Sequence, residues 1–326
     1  MAHSLKFAPQ RYNIMGLRAI WQHNSDYSKF LISVGIILLS AVIFTFISTL
    51  FAGMLFGVNM EELQLLVNNL DDPASISVLK LIQTVSSVGT FIIPPIILAY
   101  LFYPSIPEYL QLDVQPDNRS SFLVVILLFM AVPLINFLVE LNSAMHLPDV
   151  LKPIEDWMRS SEDRAAELTK AFLVMHTWQE MAFNLFMIAL IPALGEELLF
   201  RGVIQKIFTQ WTGKKHLAVW LAAFLFSVMH VQFYGFVPRL LLGALMGYLL
   251  VWSGSLWLPI LAHFVNNAAA VVFSYLYFNH YTSFDADKVG TGATDTYMVA
   301  ISLAATVFIL FRIYSIESKK ELLSGE

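Results

Sequence analysis

The chain has 326 residues, 57% hydrophobic and 13% charged, with a formal net charge of -5. That is about half the charge of a soluble domain, and with a mean hydropathy of +0.67 it describes an all-α, polytopic membrane protein. The lack of cysteine excludes a disulfide framework, a thiol nucleophile and a cysteine-type zinc site, and no basic stripe invites nucleic acid.

Residues 1–29 are polar and mixed, and the apolar run after them is too long for the core of a cleavable signal peptide. They read as a cytoplasmic segment. Eight apolar runs of spanning length follow, at about 30–58, 81–103, 122–139, 181–200, 217–231, 237–251, 256–278 and 297–311. The expectation is one transmembrane domain over 30–315 and a cytoplasmic tail at 316–326, with no repeat and no separate soluble domain. Pro94, Pro95, Pro133 and Pro192 predict kinks. Gly243 and Gly247 form a small-xxx-small pair suited to close helix packing, which by itself says nothing of chemistry.

With the N-terminus inside, the inner segments hold twelve of the 19 Lys and Arg residues, among them Lys6, Arg11, Lys214 and Lys215. The charge asymmetry puts both termini in the cytoplasm. The 140–180 loop then faces outward. Within it Ile154, Trp157, Met158, Ala165, Leu168 and Phe172 recur at near-helical spacing between Glu155, Asp156, Glu162, Asp163 and Glu167. This predicts an acidic amphipathic helix, whose charged face reads as solvated.

The fourth run ends in Gly195-Glu196-Glu197-Leu198-Leu199-Phe200-Arg201-Gly202. Adjacent carboxylates against a membrane-length apolar run are costly unless paired or wetted. Glu197 and Arg201 are i and i+4 on one helix face, in the favourable order. Glu196 points about 100° away and has no local partner. The pair reads as one buttressed and one free glutamate, against the plainer reading of a solvated helix end.

Of the eight histidines, only His230 and His263 fall within or against apolar runs. Asn267 shares a helix face with His263, and Asn266 points elsewhere. Glu196 and His230 are equally far in sequence from Gly213, so in a helical hairpin both lie about 25 Å from that turn. His263 lies about 13 Å from the next turn, at Gly254. A charged segment 201–215 projecting past the membrane would offset the difference and bring Glu196, His230, His263 and Asn267 to one depth. This requires the fourth helix to continue past Arg201.

Such a cluster can polarise a water, with a carboxylate taking the proton and other groups stabilising an oxyanion or binding a metal. Two histidines and a carboxylate are also a catalytic zinc set. No His-Glu-x-x-His helix, phosphate-binding Gly-Lys-Ser/Thr loop or Gly-x-Ser-x-Gly turn is present.

Glu196-Glu197-x-x-x-Arg201, Phe226-x-x-x-His230 and His263-x-x-x-Asn267 together resemble the three motifs of the CPBP family. These are the CAAX-protease and bacteriocin-processing (Abi) intramembrane endopeptidases, related to the type II CAAX prenyl endopeptidase. The motif core covers about 181–278, under a third of the chain. The resemblance implies an eight-helix intramembrane protease with its active site inside the bundle, acting on a membrane-associated peptide or protein in the lipid bilayer. The expected setting is a bacterial inner membrane. By position, Glu196 is the implied general base and His230 helps activate water. His263 and Asn267 stabilise the oxyanion or serve as ligands. Glu197 and Arg201 form a structural pair, with Phe226 packed beneath His230. Zn2+ held by His230 and His263 and a metal-free glutamate mechanism are the two alternatives. The embedded Glu and His also suit a non-catalytic adaptor or immunity protein on the same fold, or a proton-coupled transporter, against which stands the absence of repeats.

Overall fold

The computed structural model describes residues 16–292 and 295–324; Lys6, Arg11 and most of segment 1–29 lie outside them. Among the described residues every regular element is helical and there is no strand. The helices are α1 (Asp26–Phe56), α2 (Met60–Val67), α3 (Pro73–Phe102), the single turn α4 (Ile106–Tyr109) and α5 (Asn118–Ser143). There follow α6 (Lys152–Leu173), α7 (Trp178–Thr212), α8 (Lys215–Met229), α9 (Phe236–Ser253), α10 (Trp257–Phe278) and α11 (Thr296–Ser324).

Seven of these, α1, α3, α5, α7, α9, α10 and α11, are long and apolar enough to cross a membrane. The eighth expected span is α8, an apolar helix of only 15 residues. At about 1.5 Å per residue it is shorter than a hydrocarbon layer of about 30 Å. It runs back from the Gly213 turn and packs on α7. His230 follows it as the C-cap.

The ends are set by local chemistry. Ser25 caps α1 by accepting from Ser28 N–H, and Gly57 closes it in the left-handed conformation at φ 70°. Asp72 caps α3, with Pro73 at its first position. Asp117 caps α5, and its hydrogen bond from the Arg119 side chain holds its carboxyl low, at about 2. Gly213 and Gly254, at φ 66° and 62°, end α7 and α9 and let the chain reverse.

Wide turns precede the prolines of α3 and α7. A π-helical stretch, Val88–Ile92, lies just before Pro94 and Pro95. Another, Leu185–Leu190, lies just before Pro192. Proline lacks an N–H and crowds the carbonyl four residues back, and a π turn absorbs that mismatch while the helix continues. A third π stretch, Leu198–Gln205, follows Glu197.

The hub is α7. In its most apolar stretch 56% of residues are buried, against 6% in α1. Leu199, Phe200 and Ile204 of α7 pack on Ala218, Ala222 and Phe226 of α8. Leu198 and Val203 join Leu98, Leu250 and Leu256 in a second cluster. On the far side α5, α9, α10 and α11 share a core built on Leu127, Met246, Leu258 and Ile309.

Two expectations need correction. The helix does run on past Arg201, but its first two turns there are covered by protein. Arg201, Gly202, Val203, Ile204, Gln205, Ile207 and Phe208 are all buried in the bundle, because their faces are matched by glycines. Arg201 donates to Gly243 O at 3.0 Å and Gln205 donates to Gly247 O at 3.2 Å. A Cβ at Gly247 would lie 2.7 Å from Gln205 Oε1 and 2.9 Å from a Val219 methyl. The small-xxx-small pair therefore seats two polar residues of the α7 hub. The second correction is at the C-terminal end, where α11 continues helical to Ser324 rather than ending near 311. Its Glu317 is buried and accepts from Asp117 N–H at 3.2 Å.

Gly247→Val should therefore overpack the α7–α9 contact and cost about 1–3 kcal/mol. Thermal unfolding of the detergent-solubilised protein checks this; an unchanged midpoint would contradict the packing described.

Candidate active site

Glu196 and Glu197 lie between two π stretches of α7, a context in which helix faces turn away from regular spacing. Gly195 precedes them. A Cβ there would come within 2.7 Å of Phe91 Cβ on α3, so glycine lets α3 close against the site.

The centre is a short chain of charged and ring groups. Arg201 Nη1 donates to Glu197 Oε1 at 3.0 Å, with both side chains essentially inaccessible. His263, on α10, donates from Nδ1 to the same oxygen at 2.7 Å. The other ring nitrogen, Nε2, faces Glu196 Oε2 at 3.8 Å. That separation is too long for a direct hydrogen bond and suits a bridging water. His263 thus links the two glutamates. Glu197 fixes the ring's tautomer and orientation, the job a carboxylate does behind many catalytic or metal-bound histidines. Glu197 Oε2 is buried without a hydrogen-bond partner among the described residues.

Phe226 organises the rings. It meets Phe200 at 5.3 Å, His230 at 4.9 Å and His263 at 6.2 Å between centroids, each edge-on. The Arg201 guanidinium lies 4.7 Å from its centre, a cation–π contact in a dry setting. His230 caps α8, and its Nδ1 donates to Phe226 O at 2.8 Å. Its Nε2 is left with a lone pair when the ring is neutral.

Asn267 lies one turn beyond His263. Its Nδ2 donates to Ile188 O at 3.0 Å. Ile188 is four residues before Pro192, which has no N–H to offer its carbonyl in α-helical register. Asn266 Nδ2 in turn donates to Asn267 Oδ1 at 3.1 Å. Glu196, Glu197, Arg201, Phe226 and His263 are therefore brought together, His230 joins them through Phe226, and Asn267 braces α10 on α7.

Donor chemistry and donor placement differ for a metal. His263 Nε2 and Glu196 are two ligand-type atoms facing one point. Among the described residues no three His, Cys, Asp or Glu side chains converge as metal ligands, whereas a catalytic zinc takes three protein ligands. The residues as arranged do not make that set.

Several residues that sequence patterns missed hold the loop after His230. Val231 has φ 52°, strained for a β-branched residue. The strain is held from three sides. Asn142 of α5 donates to Phe233 O at 3.1 Å and accepts from Val237 N–H at 2.8 Å. Glu162 of α6 accepts from Tyr234 N–H at 2.7 Å, and Trp157 packs on Phe233. Arg239 of α9 donates to Gln232 O at 3.1 Å and to Gln232 Oε1 at 2.6 Å. The acidic helix is thus present as expected, but its charged face is not merely solvated. At its start, Glu155 is buried, and three partners pull its carboxyl down to about 2: the Arg159 side chain first, then Leu147 N–H and His146. Arg159 also lies 4.2 Å from the Tyr234 ring centre.

Two outcomes follow. Removing one partner of a buried ion pair leaves an uncompensated charge, so Glu197→Gln should lose about 3–5 kcal/mol, while Glu196→Gln should melt near wild type; equal destabilisation in thermal melts would contradict the division between them. The Glu155 carboxyl is lowered on folding, so its stabilisation is complete above the ordinary carboxylate value of about 4.3 and is lost as pH falls toward about 2. Hydrogen exchange should show residues 145–160 loosening in that acid window, and Glu155→Gln should abolish the dependence.

Residues 178–269 match a protein family model described as type II CAAX prenyl endopeptidase Rce1-like. Among curated proteins, the uncharacterized protein YpbD of Bacillus subtilis (strain 168) is 29% identical over 89 residues, a match covering 26% of this chain and 42% of that protein. The chain thus spans less than half the length of that relative. No solved structure matches it. What this chain shares with the protease family is a partial, Rce1-like domain that coincides with α7 to α10 and contains the buried His263, Glu196 and Glu197 cluster.

Proposed function

We propose that the protein is an intramembrane endopeptidase that hydrolyses a peptide bond in a membrane-associated protein or peptide, with Glu196 as general base. The observation that carries this reading is His263, bonded to Glu197 through one nitrogen and turned toward Glu196 with the other. Water bound between Glu196 and His263 gives its proton to Glu196. The hydroxide oxygen bonds to the scissile carbonyl carbon, whose oxygen becomes an oxyanion. The proton then passes from Glu196 to the leaving nitrogen as the C–N bond breaks. His230, on the other side of the Phe226 ring, serves as a second proton carrier. As imidazolium it also stabilises the oxyanion. The second N–H of Asn267 Nδ2 is a further oxyanion donor.

No step above passes through a metal. A zinc ion drawn to His263 Nε2 and Glu196 would need His230 to turn in as its third ligand. Metal analysis beside activity decides between the alternatives: stoichiometric zinc that vanishes in His263→Ala supports the metal, and full activity in metal-free protein under chelation supports Glu196 and the histidines alone. The orientation proposed is both termini and the Lys214–Lys215 turn in the cytoplasm, across a bacterial inner membrane. The one-piece transmembrane domain over 30–315, with tails at 1–29 and 316–326, is proposed with it.

Glu196→Gln keeps the side-chain shape and removes the base, so peptide hydrolysis should fall by at least about 10²-fold. Loss of hydrolysis with a folded, wild-type melting profile supports the protease; undiminished cellular function in Glu196→Gln would favour the non-catalytic adaptor. For orientation, Ser160→Cys should be labelled by an impermeant maleimide from outside intact cells, and labelling only from the cytoplasmic side would overturn the scheme.

A further inference from the structure

A cavity of ≈ 840 Å³ lies between α5, α6 and α10, closed at one end by residues 284–287. Its volume falls in the range of ligand sites, about 300–1,000 Å³. Two of its wall residues are sequence neighbours of site residues. Gln232 in its wall is two residues past His230, and Asn266 in its wall is one helical turn past His263. Most of the remaining lining is apolar, including Phe129, Val132, Ala270 and Phe273.

Those two amides are half-used. Gln232 Oε1 accepts from Arg239, and Gln232 Nε2 has no partner among the described residues. Asn266 Nδ2 donates to Asn267, and Asn266 Oδ1 likewise has no partner among the described residues. The cavity wall therefore carries one spare donor and one spare acceptor, among mostly apolar residues with Lys170, Asp285 and Asp287 also in the lining. An acyl or prenyl chain has no use for either. An extended peptide has a carbonyl for the donor and an N–H for the acceptor, and it sends alternate side chains to opposite walls.

We propose that this cavity is the substrate cleft, in which an extended peptide with apolar side chains lies between α5 and α10, its backbone paired with Gln232 Nε2 and Asn266 Oδ1. The proposal deepens the endopeptidase reading and rests on it for the reaction, but not for binding. The amides are held ready: Arg239 fixes one and Asn267 the other, so neither loses side-chain freedom when a peptide binds.

The test uses the full chain and a biotinylated, quenched-fluorescent library of apolar decapeptides. In the Glu196→Gln protein, benzoylphenylalanine at position 270 should photo-crosslink library peptides. At position 304, on the exposed face of α11, it should not. In the otherwise wild-type protein, Ala270→Trp fills the cleft and Gln232→Ala removes the donor. Each should raise KM for a hydrolysed peptide about tenfold with kcat little changed, the pattern of lost ground-state binding; Ala304→Trp should leave both alone. Hydrolysis with no crosslink at 270 and unchanged KM in Ala270→Trp would overturn the cleft and leave the protease standing. Crosslinking at 270 without hydrolysis by the wild type would overturn the protease reading and keep a peptide-binding cleft. Neither crosslinking nor hydrolysis would overturn both.

Discussion

The structure turns on one charge balance inside the bundle. Glu196, Glu197 and Arg201 bring two negative charges and one positive into a region with little water. One negative charge is left over, and isolated buried charge is expensive. One further proton brings such a cluster to neutrality. The fold fixes its geometry: Glu197 locks His263 by Nδ1, and Nε2 looks at Glu196 across 3.8 Å.

Everything around the cluster serves to hold it dry and aligned. Arg201 satisfies one carbonyl of α9, and the guanidinium faces Phe226. Glycines at 195, 243 and 247 bring backbone where side chains would keep helices apart. The π stretches flanking Glu196 and Glu197 re-aim the faces of α7. Pro192 has no N–H to give Ile188 O, and Asn267 supplies a donor to it in the same contact that docks α10. A helix defect is thereby used to register two helices.

Much of this was legible in the residue pattern, for physical reasons. Hydropathy marks spans because a membrane-length helix must satisfy its backbone internally. The Glu197–Arg201 pair could be read because i,i+4 neighbours meet on any helix. What could not be read was the contact between helices. Nothing local says that His263 bonds Glu197, or that Asn267 finds Ile188 O, since both depend on the rotation of α10 against α7. The burial of 201–208 was missed because charge was taken as a sign of water, while Arg201 and Gln205 are satisfied by carbonyls opposite two glycines. The helix at the fifth run starts and ends two residues earlier than 217–231, because apolar residues continue past its end into a turn.

That short helix explains the acidic segment outside the motifs. Because α8 stops at Met229, His230 sits at the start of a loop rather than within a helix, and Val231 must take a strained conformation to turn the chain. Backbone strain of about 1–3 kcal/mol persists only where the surroundings over-determine it. Here Asn142, Glu162 and Arg239 act from three different helices. The position of His230 is therefore a property of α5, α6 and α9 together, and α6 is tied to that loop through Glu162 and Arg159. An acidic amphipathic helix that looks like a solvated face in sequence becomes, once folded, part of what aims a histidine at the site.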